Sequence, residues 1–243
     1  MTARVVAVIQ ARMSSTRLPG KVLRALDGRP VLDWVVDAAS AATEVDSVVV
    51  ATSTRNTDDA IAAWGRERAV TVVRGSESDV LSRYALAAEE SRADAVVRLT
   101  ADCPLLDFVL IDQVVAMWRR DPVLGYVATT LERTLPRGLD VELISREVLD
   151  EMNRLATGYD RIHVTSRAYA ADSPVARAGI VVAPSASHLR VTLDVEEDAA
   201  LLDALVPLLP RPPRWRDVVR ALETHPHLLH LNAHVVQKRI EEG

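Results

Sequence analysis

Cysteine, phenylalanine and lysine are all scarce in this chain of 243 residues. Its one cysteine, Cys103, cannot form an intrachain disulfide or build a Cys-rich zinc site, which suits a reducing cytoplasm. One phenylalanine and two lysines, Lys21 and Lys238, stand in an Ala-, Arg- and Val-rich background of the kind a GC-rich genome encodes. There is no basic excess. A formal net charge of −5 argues against a general nucleic-acid binder, yet leaves room for cations gathered in one cleft around a small anion. No apolar run approaches the roughly 20 residues of a membrane span. The amino-terminal stretch MTARVVAVIQAR carries Arg12 where the apolar core of a signal peptide would continue. The chain therefore reads as cytoplasmic, with no membrane and no nucleic-acid partner. Walker A (GxxxxGK[ST]) and Rossmann (GxGxxG) fingerprints are absent, as are internal repeats, low-complexity tracts and linkers.

What is present is a buried strand that empties into a polyanion-binding loop. The run Val5–Ile9 is followed by Arg12, Ser14, Ser15, Thr16, Arg17 and Lys21, then by an amphipathic stretch from Pro30. Backbone N–H groups and hydroxyls supply donors around phosphate oxygens, and Arg and Lys add charge-assisted bonds.

Val-rich runs at 5–9, 47–51, 70–73 and 95–99 alternate with helical patterns at 31–42, 57–67 and 79–91. Asp58 and Asp59 fall in the first turn of their helix, where negative charge suits the dipole. This βαβα order predicts a mostly parallel sheet flanked by helices, with ligands outside the carboxyl ends of the strands. Further on, the pattern predicts helices over 107–118, 146–155, 160–171 and 196–209. It predicts strands at 126–129, 141–144, 180–182 and 189–193, forming a smaller mixed β lobe. The hydrophobic fraction of 49% is ample for a core, and the whole chain, 1–243, reads as one domain. Within it, 1–120 is expected to bind nucleotide, 121–195 to serve the acceptor or a dimer contact, and 196–243 to form a C-terminal helical segment.

The loop, as IQARMSSTRLPGKVL, resembles the signature of cytidylyltransferases that activate sugar acids as CMP conjugates, most of all the SpsF-type spore-coat polysaccharide branch. It is also similar to phosphonate cytidylyltransferases. The resemblance continues through VATSTRNTDDAIA, VVRGSESDVLSRY, VVRLTADCPLLD, LPRGLDVELIS, HVTSRAYA, VTLDVEEDAALL and LNAHVVQK. It implies a nucleotide-diphospho-sugar-transferase-like fold and a nucleotidyltransferase. CTP and an anionic acceptor, either a sugar acid or a small phosphonate, would give a CMP conjugate and pyrophosphate, in polysaccharide or natural-product biosynthesis. It further implies Mg²⁺ and a homodimer. Two other readings stay open: a nucleotidyltransferase of another base specificity, and a non-catalytic nucleotide-binding subunit of the same fold.

Residue by residue, Arg12, Lys21 and Asp102 are expected to carry the reaction. Asp102, in TADCP, reads locally as either a turn former or a metal ligand. The resemblance favours the metal, although Ala101 stands where many relatives have Gly and Phe108 where Pro is common. Asp194 by itself reads as a helix cap after a strand; the resemblance makes it the second metal ligand. For the nucleotide, the expected set is Ala11, Arg12, Ser14, Ser15, Arg17, Lys21, Arg74, Ser76, Val80 and Thr100. The segment Arg74-Gly75-Ser76 with Val80 lines the cytosine pocket by resemblance, and is a β-turn on local grounds. For the acceptor, the expected set is Arg133, Arg137, Asp140, Glu142, Arg161, His163 and Arg190, since Arg forks suit carboxylate and phosphonate alike. Asp140 and Glu142 alternate along a strand and so would share a face. His163 can orient or deprotonate the acceptor, or be structural. His225, His227, His230 and His234 have metal-like spacing but no accompanying carboxylate or cysteine pattern.

Overall fold

The computed structural model describes residues 3–121 and 123–236; the end of the LNAHVVQK motif, and of the expected 196–243 segment, lies outside them. Strand β1 (Val5–Gln10) enters the cation-rich loop, which closes in a 3-10 turn at Lys21–Leu23. A short hairpin, β2 (Ala25–Leu26) and β3 (Arg29–Pro30), leads into α1 (Val31–Ala41). Then β4 (Ser47–Ser53), α2 (Asp59–Arg68), β5 (Thr71–Gly75), α3 (Val80–Ser91) and β6 (Ala95–Thr100) alternate as expected. The remainder comprises α4 (Phe108–Arg120), β7 (Tyr126–Ala128), β8 (Glu142–Ser145), α5 (Arg146–Leu155), α6 (Tyr159–Ile162), α7 (Ser166–Tyr169), β9 (Arg177–Gly179), α8 (Glu196–Leu205) and α9 (Trp215–Thr224).

The strands form a seven-stranded sheet in the order β5-β4-β1-β6-β8-β7-β9. β5, β4, β1 and β6 are mutually parallel, and β8 is antiparallel to both its neighbours. The α/β class stands, and its smaller mixed part is the β8-β7-β9 end of this same sheet, with β2-β3 a separate two-stranded sheet. From β1 the chain passes to β4 on one side, and it returns as β6 on the other. The β1–β6 seam is thus the topological switch point, where such sheets bind ligands.

β1 is apolar from Val5 to Ile9 because both its faces are covered there. Val5, Ala7 and Ile9 join the core shared with α1, α4 and the C-terminal helices. Val6 and Val8 join the core shared with α3 and α5. Each Val or Ile so buried contributes on the order of 1.5–3 kcal/mol relative to exposure.

Four expectations change. Among the described residues, the 189–193 stretch makes only an isolated bridge, Arg137 with Arg190, and no strand runs alongside it. The strand expected at 180–182 lies at β9, where its partner β7 is. The helix expected over 160–171 is two single turns, α6 and α7, broken at 163–165. The helix expected to run to 209 ends at Leu205 and tightens into a 3-10 turn at Val206–Leu208, where Pro207 removes a donor.

Candidate active site

The phosphate loop is held in shape by its own backbone and by one buried carboxylate. Gly20, at φ +72°, takes the left-handed conformation, and its N–H donates to the Met13 carbonyl at 2.9 Å. Asp58 is buried and accepts from Met13 N at 2.8 Å, and from both the N–H and the hydroxyl of Ser53. It precedes α2 in a 3-10 turn, so its side chain anchors the loop, whereas Asp59 alone keeps the expected first-turn place.

Anchored this way, the loop delivers Lys21 to the carboxyl ends of the strands. Lys21 Nζ lies 2.7 Å from Asp102 Oδ2 and 2.7 Å from Asp194 Oδ1. The second oxygen of Asp194 receives Arg17 at 3.3 Å and Arg190 at 3.1 Å. Burial alone lowers the affinity of the Lys21 amine for its proton, but the two carboxylates outweigh it and the pKa is raised. For Asp194, burial favours the neutral acid, while Lys21, Arg17 and Arg190 prevail and hold its pKa below the ordinary value.

Asp194 is placed by a neighbour in the first turn of α8. Asp198 is wholly buried and closes the N-terminus of α8 by accepting from Asp194 N at 2.9 Å and Val195 N at 3.3 Å. It also accepts a forked pair from Arg190 at 2.8 and 2.7 Å, and the Asn232 amide at 3.0 Å. Asp194 is therefore not the cap of α8, and its side chain is left to the cleft. Behind it, Gly138 at φ +104° passes so close to residues 191–192 that a Cβ would meet Thr192 N at 2.6 Å. Asp102 is tied to the same segment, its carbonyl accepting from Leu193 N at 2.8 Å and the Thr192 hydroxyl at 3.1 Å.

These groups surround a cavity of about 340 Å³ at the switch point. It gathers Arg12, Ser14, Ser15, Arg17, Lys21 and Thr100 from the expected nucleotide set, together with Asp102 and Asp194. Gln10, Thr16 and Arg98 line it too, and Gln10 and Arg98 were not expected there. The rest of the nucleotide set lies outside. Ala11 is buried, with its N–H on the Ala51 carbonyl. Arg74 is engaged by the Ser53 and Arg55 carbonyls at 3.0 Å each and by Asp59 at 2.7 Å. Ser76 accepts from Asp79 N, and Val80 is buried. Glu77, between Ser76 and Val80, reaches back toward the loop: its carbonyl is 3.5 Å from Arg12 and its carboxylate 3.4 Å from Ser14.

The acceptor set divides into three groups. Arg133 and Asp140 form a forked pair at 2.6 and 3.0 Å, and Arg137 pairs with Arg190 through the backbone bridge. Burial, then the charge of Arg133, lowers the Arg137 pKa. Glu142 faces inward and accepts from Arg98, Tyr126 and, at 2.7 Å, Thr165. Burial opposes its ionisation, but Arg98 and the hydroxyls hold its pKa down. Because β8 begins at Glu142, Asp140 lies before the strand and the two carboxylates serve different partners. Arg161 pairs with Asp79, and His163 stacks on Tyr159 with ring centroids 4.2 Å apart. Among the described residues, no group of three or more His, Cys, Asp or Glu is arranged to hold a metal ion, the C-terminal histidines included. Nor is any described helix long and apolar enough to cross a membrane.

A 3-2-1-4 arrangement of parallel strands, with cations and two carboxylates at its switch point, defines a nucleotide-binding α/β protein. Comparison with known proteins narrows this. The chain belongs to the cytidylyltransferase family, whose model matches residues 6–163, and it is a nucleotidyltransferase. It is 32% identical over 207 residues, covering 82% of this chain and 84% of the other, to the spore coat polysaccharide biosynthesis protein SpsF of Bacillus subtilis. An uncharacterized protein of Methanocaldococcus jannaschii, MJ1063, is 30% identical and covers 98% of both chains. A cytidylyltransferase structure from Leptospira borgpetersenii superposes with a TM-score of 0.90 at 26% identity, over 98% of this chain and 100% of that one.

Proposed function

We propose that this chain transfers CMP from CTP to an anionic acceptor, a sugar acid or a small phosphonate, with release of pyrophosphate. One observation carries the reading: Lys21, Arg17 and the carboxylates of Asp102 and Asp194 converge on a single point at the mouth of the phosphate loop. Arg12, Arg17, Lys21 and the Ser14 and Ser15 hydroxyls neutralise and orient the triphosphate. An acceptor oxygen then forms a bond to the α-phosphorus while the bond to the β-phosphate bridge breaks.

Asp102 and Asp194 fit a divalent cation, because both already direct an oxygen to within 2.7 Å of one positive centre. Mg²⁺ is usually held by one or two carboxylates plus phosphate oxygens. When bound, it would neutralise charge on the transferring phosphoryl group.

In this reading residues 1–120 bind nucleotide, with Ala11, Arg74, Ser76, Val80 and Thr100 around the base and ribose. Residues 121–195 receive the acceptor through Arg133, Arg137, Asp140, Glu142, Arg161, His163 and Arg190, and provide the homodimer contact. Of the C-terminal helical segment expected over 196–243, the described part, 196–236, carries α8 and α9. The enzyme is a cytoplasmic dimer acting in polysaccharide or natural-product biosynthesis. SpsF, named for spore coat polysaccharide biosynthesis, and curated relatives named as 8-amino-3,8-dideoxy-manno-octulosonate cytidylyltransferases support the sugar-acid side.

The test is pyrophosphate release from CTP and Mg²⁺ with sugar acids and small phosphonates as separate pools, and with GTP and UTP in place of CTP. Release with CTP and one pool supports the reading and selects the acceptor class. Turnover with another nucleotide alone, or nucleotide binding with no release from either pool, overturns it in favour of another base or a non-catalytic subunit.

A further inference from the structure

Two buried polar atoms of residues that line the cavity have no hydrogen-bond partner among the described residues: Gln10 Oε1 and Arg98 Nε. In the parallel register Val8 pairs with Arg98 and Gln10 with Thr100. Side chains alternate along a strand, so Gln10 and Arg98 emerge on the face of Val8 and Val96, diagonal to one another across the switch point. Strand spacing and rise put their Cα atoms about 8 Å apart, a span two long side chains close around one small group.

Arg98 is not free to seek a partner elsewhere. It is bonded to Glu142, and Glu142 is itself fixed by the Tyr126 and Thr165 hydroxyls. Burial works against the Arg98 charge, and Glu142 more than restores it, so the guanidinium stays cationic. A donor and an acceptor, each buried and each unmade, are costly to the fold unless a ligand completes them.

We propose that Gln10 and Arg98 form a hydroxyl-recognition subsite, in which one ligand hydroxyl donates to Gln10 Oε1 and accepts from Arg98 Nε. A hydroxyl is both donor and acceptor at a single oxygen. An ionised carboxylate or phosphonate has no proton for Gln10, and an exocyclic amine offers no good acceptor to Arg98. The inference rests on the CMP-transfer reading, whose two substrates supply two sources of such a hydroxyl: the ribose of CTP and a polyhydroxylated acceptor.

The full chain is compared with Gln10→Leu and with Arg98→Lys, which keeps a cation opposite Glu142 but lacks the Nε–H; chemical denaturation verifies that both fold. Calorimetry with CTP, 2′-deoxy-CTP and 3′-deoxy-CTP forms one arm. KM for sugar acids against 2-aminoethylphosphonate, which has no carbon-borne hydroxyl, forms the other. If the ribose supplies the hydroxyl, the wild type prefers CTP over one deoxy analogue by roughly tenfold and both variants lose that preference. If the acceptor supplies it, nucleotide binding is unchanged and KM for the sugar acid rises roughly tenfold in both variants, with the aminophosphonate unaffected. Variants that discriminate as the wild type does in the nucleotide arm, with KM for sugar acids unchanged or no sugar acid turned over by the wild type, overturn the subsite. So does equal weakening for CTP and both deoxy analogues. A wild type that binds no CTP instead sinks the CMP-transfer reading, which is seen before any variant is made.

Discussion

Lys21 Nζ stands 2.7 Å from Asp194 Oδ1, joining residues 173 positions apart, and the same nitrogen is 2.7 Å from Asp102. An ammonium group thus holds the point between two carboxylates where a divalent cation is proposed to bind, so the two cations compete for the same oxygens. Lys21→Ala is expected to weaken apparent CTP affinity by about tenfold or more through loss of a charge-assisted phosphate contact, with a smaller effect on the acceptor. Nucleotide-free Mn²⁺ affinity should rise in the same variant, which spectroscopic titration would register. Unchanged CTP affinity counts against the phosphate loop, and unchanged Mn²⁺ affinity against the competition.

Asp102 bears on chemistry more than on folding. Its side chain is a quarter exposed, at 25%, and the buried Lys21 ammonium keeps Asp194 as a partner at 2.7 Å when Asp102 is neutralised. Asp102→Asn should abolish metal-dependent pyrophosphate release while the denaturation midpoint stays close to that of the wild type. Full activity in this variant would remove Asp102 from the proposed metal pair.

Asp198 behaves in the opposite way. It has no exposed surface and accepts from Arg190, Asn232 and two backbone N–H groups. Replacing it leaves the Arg190 cation without its forked partner, and breaking such a buried pair costs about 3–5 kcal/mol. Asp198→Asn should lose stability on that scale in urea unfolding. Asn232→Ala removes one neutral donor and should lose about 1–3 kcal/mol. A stability within error of the wild type for Asp198→Asn would show that the hub is not coupled to the fold.

His163 gives a pH dependence whose sign is fixed by its surroundings. Burial, then the charge of Arg98, lowers its pKa below 6.5. The unfolded chain therefore takes up a proton at higher pH than the folded one. The contribution of His163 to stability is full above 6.5 and is lost as pH falls through the folded-state value. An NMR titration of the imidazole should show a midpoint below 6.5 in the folded chain. A midpoint at or above that value would mean that Asp160, the opposing charge, dominates.

Much of this protein is written locally. β1 is apolar on both faces and is followed by cations and hydroxyls, so both the strand and the nature of its loop could be read without knowing their neighbours. The alternation of strand and helix through residue 120 is local for the same reason: each period reflects which side of one element is buried. The βαβα order also places the 12–21 and 101–107 loops on the same edge of the sheet.

Tertiary structure decided what those loops meet. No spacing relates Asp58 to Met13, Asn232 to Asp198, or Gln10 to Arg98; each relation exists because the crossovers set β1 between β4 and β6 and bring the C-terminal turn back over α8. The 189–193 segment has strand composition but no strand, since a ladder needs a partner and the fold supplies a single bridge. Glu142 alternates with Asp140 in sequence, yet burial beside Arg98 gave it a different set of partners. A pattern of side chains fixes which face of an element leaves water, whereas the partners waiting on that face are fixed only when the whole chain has closed around it.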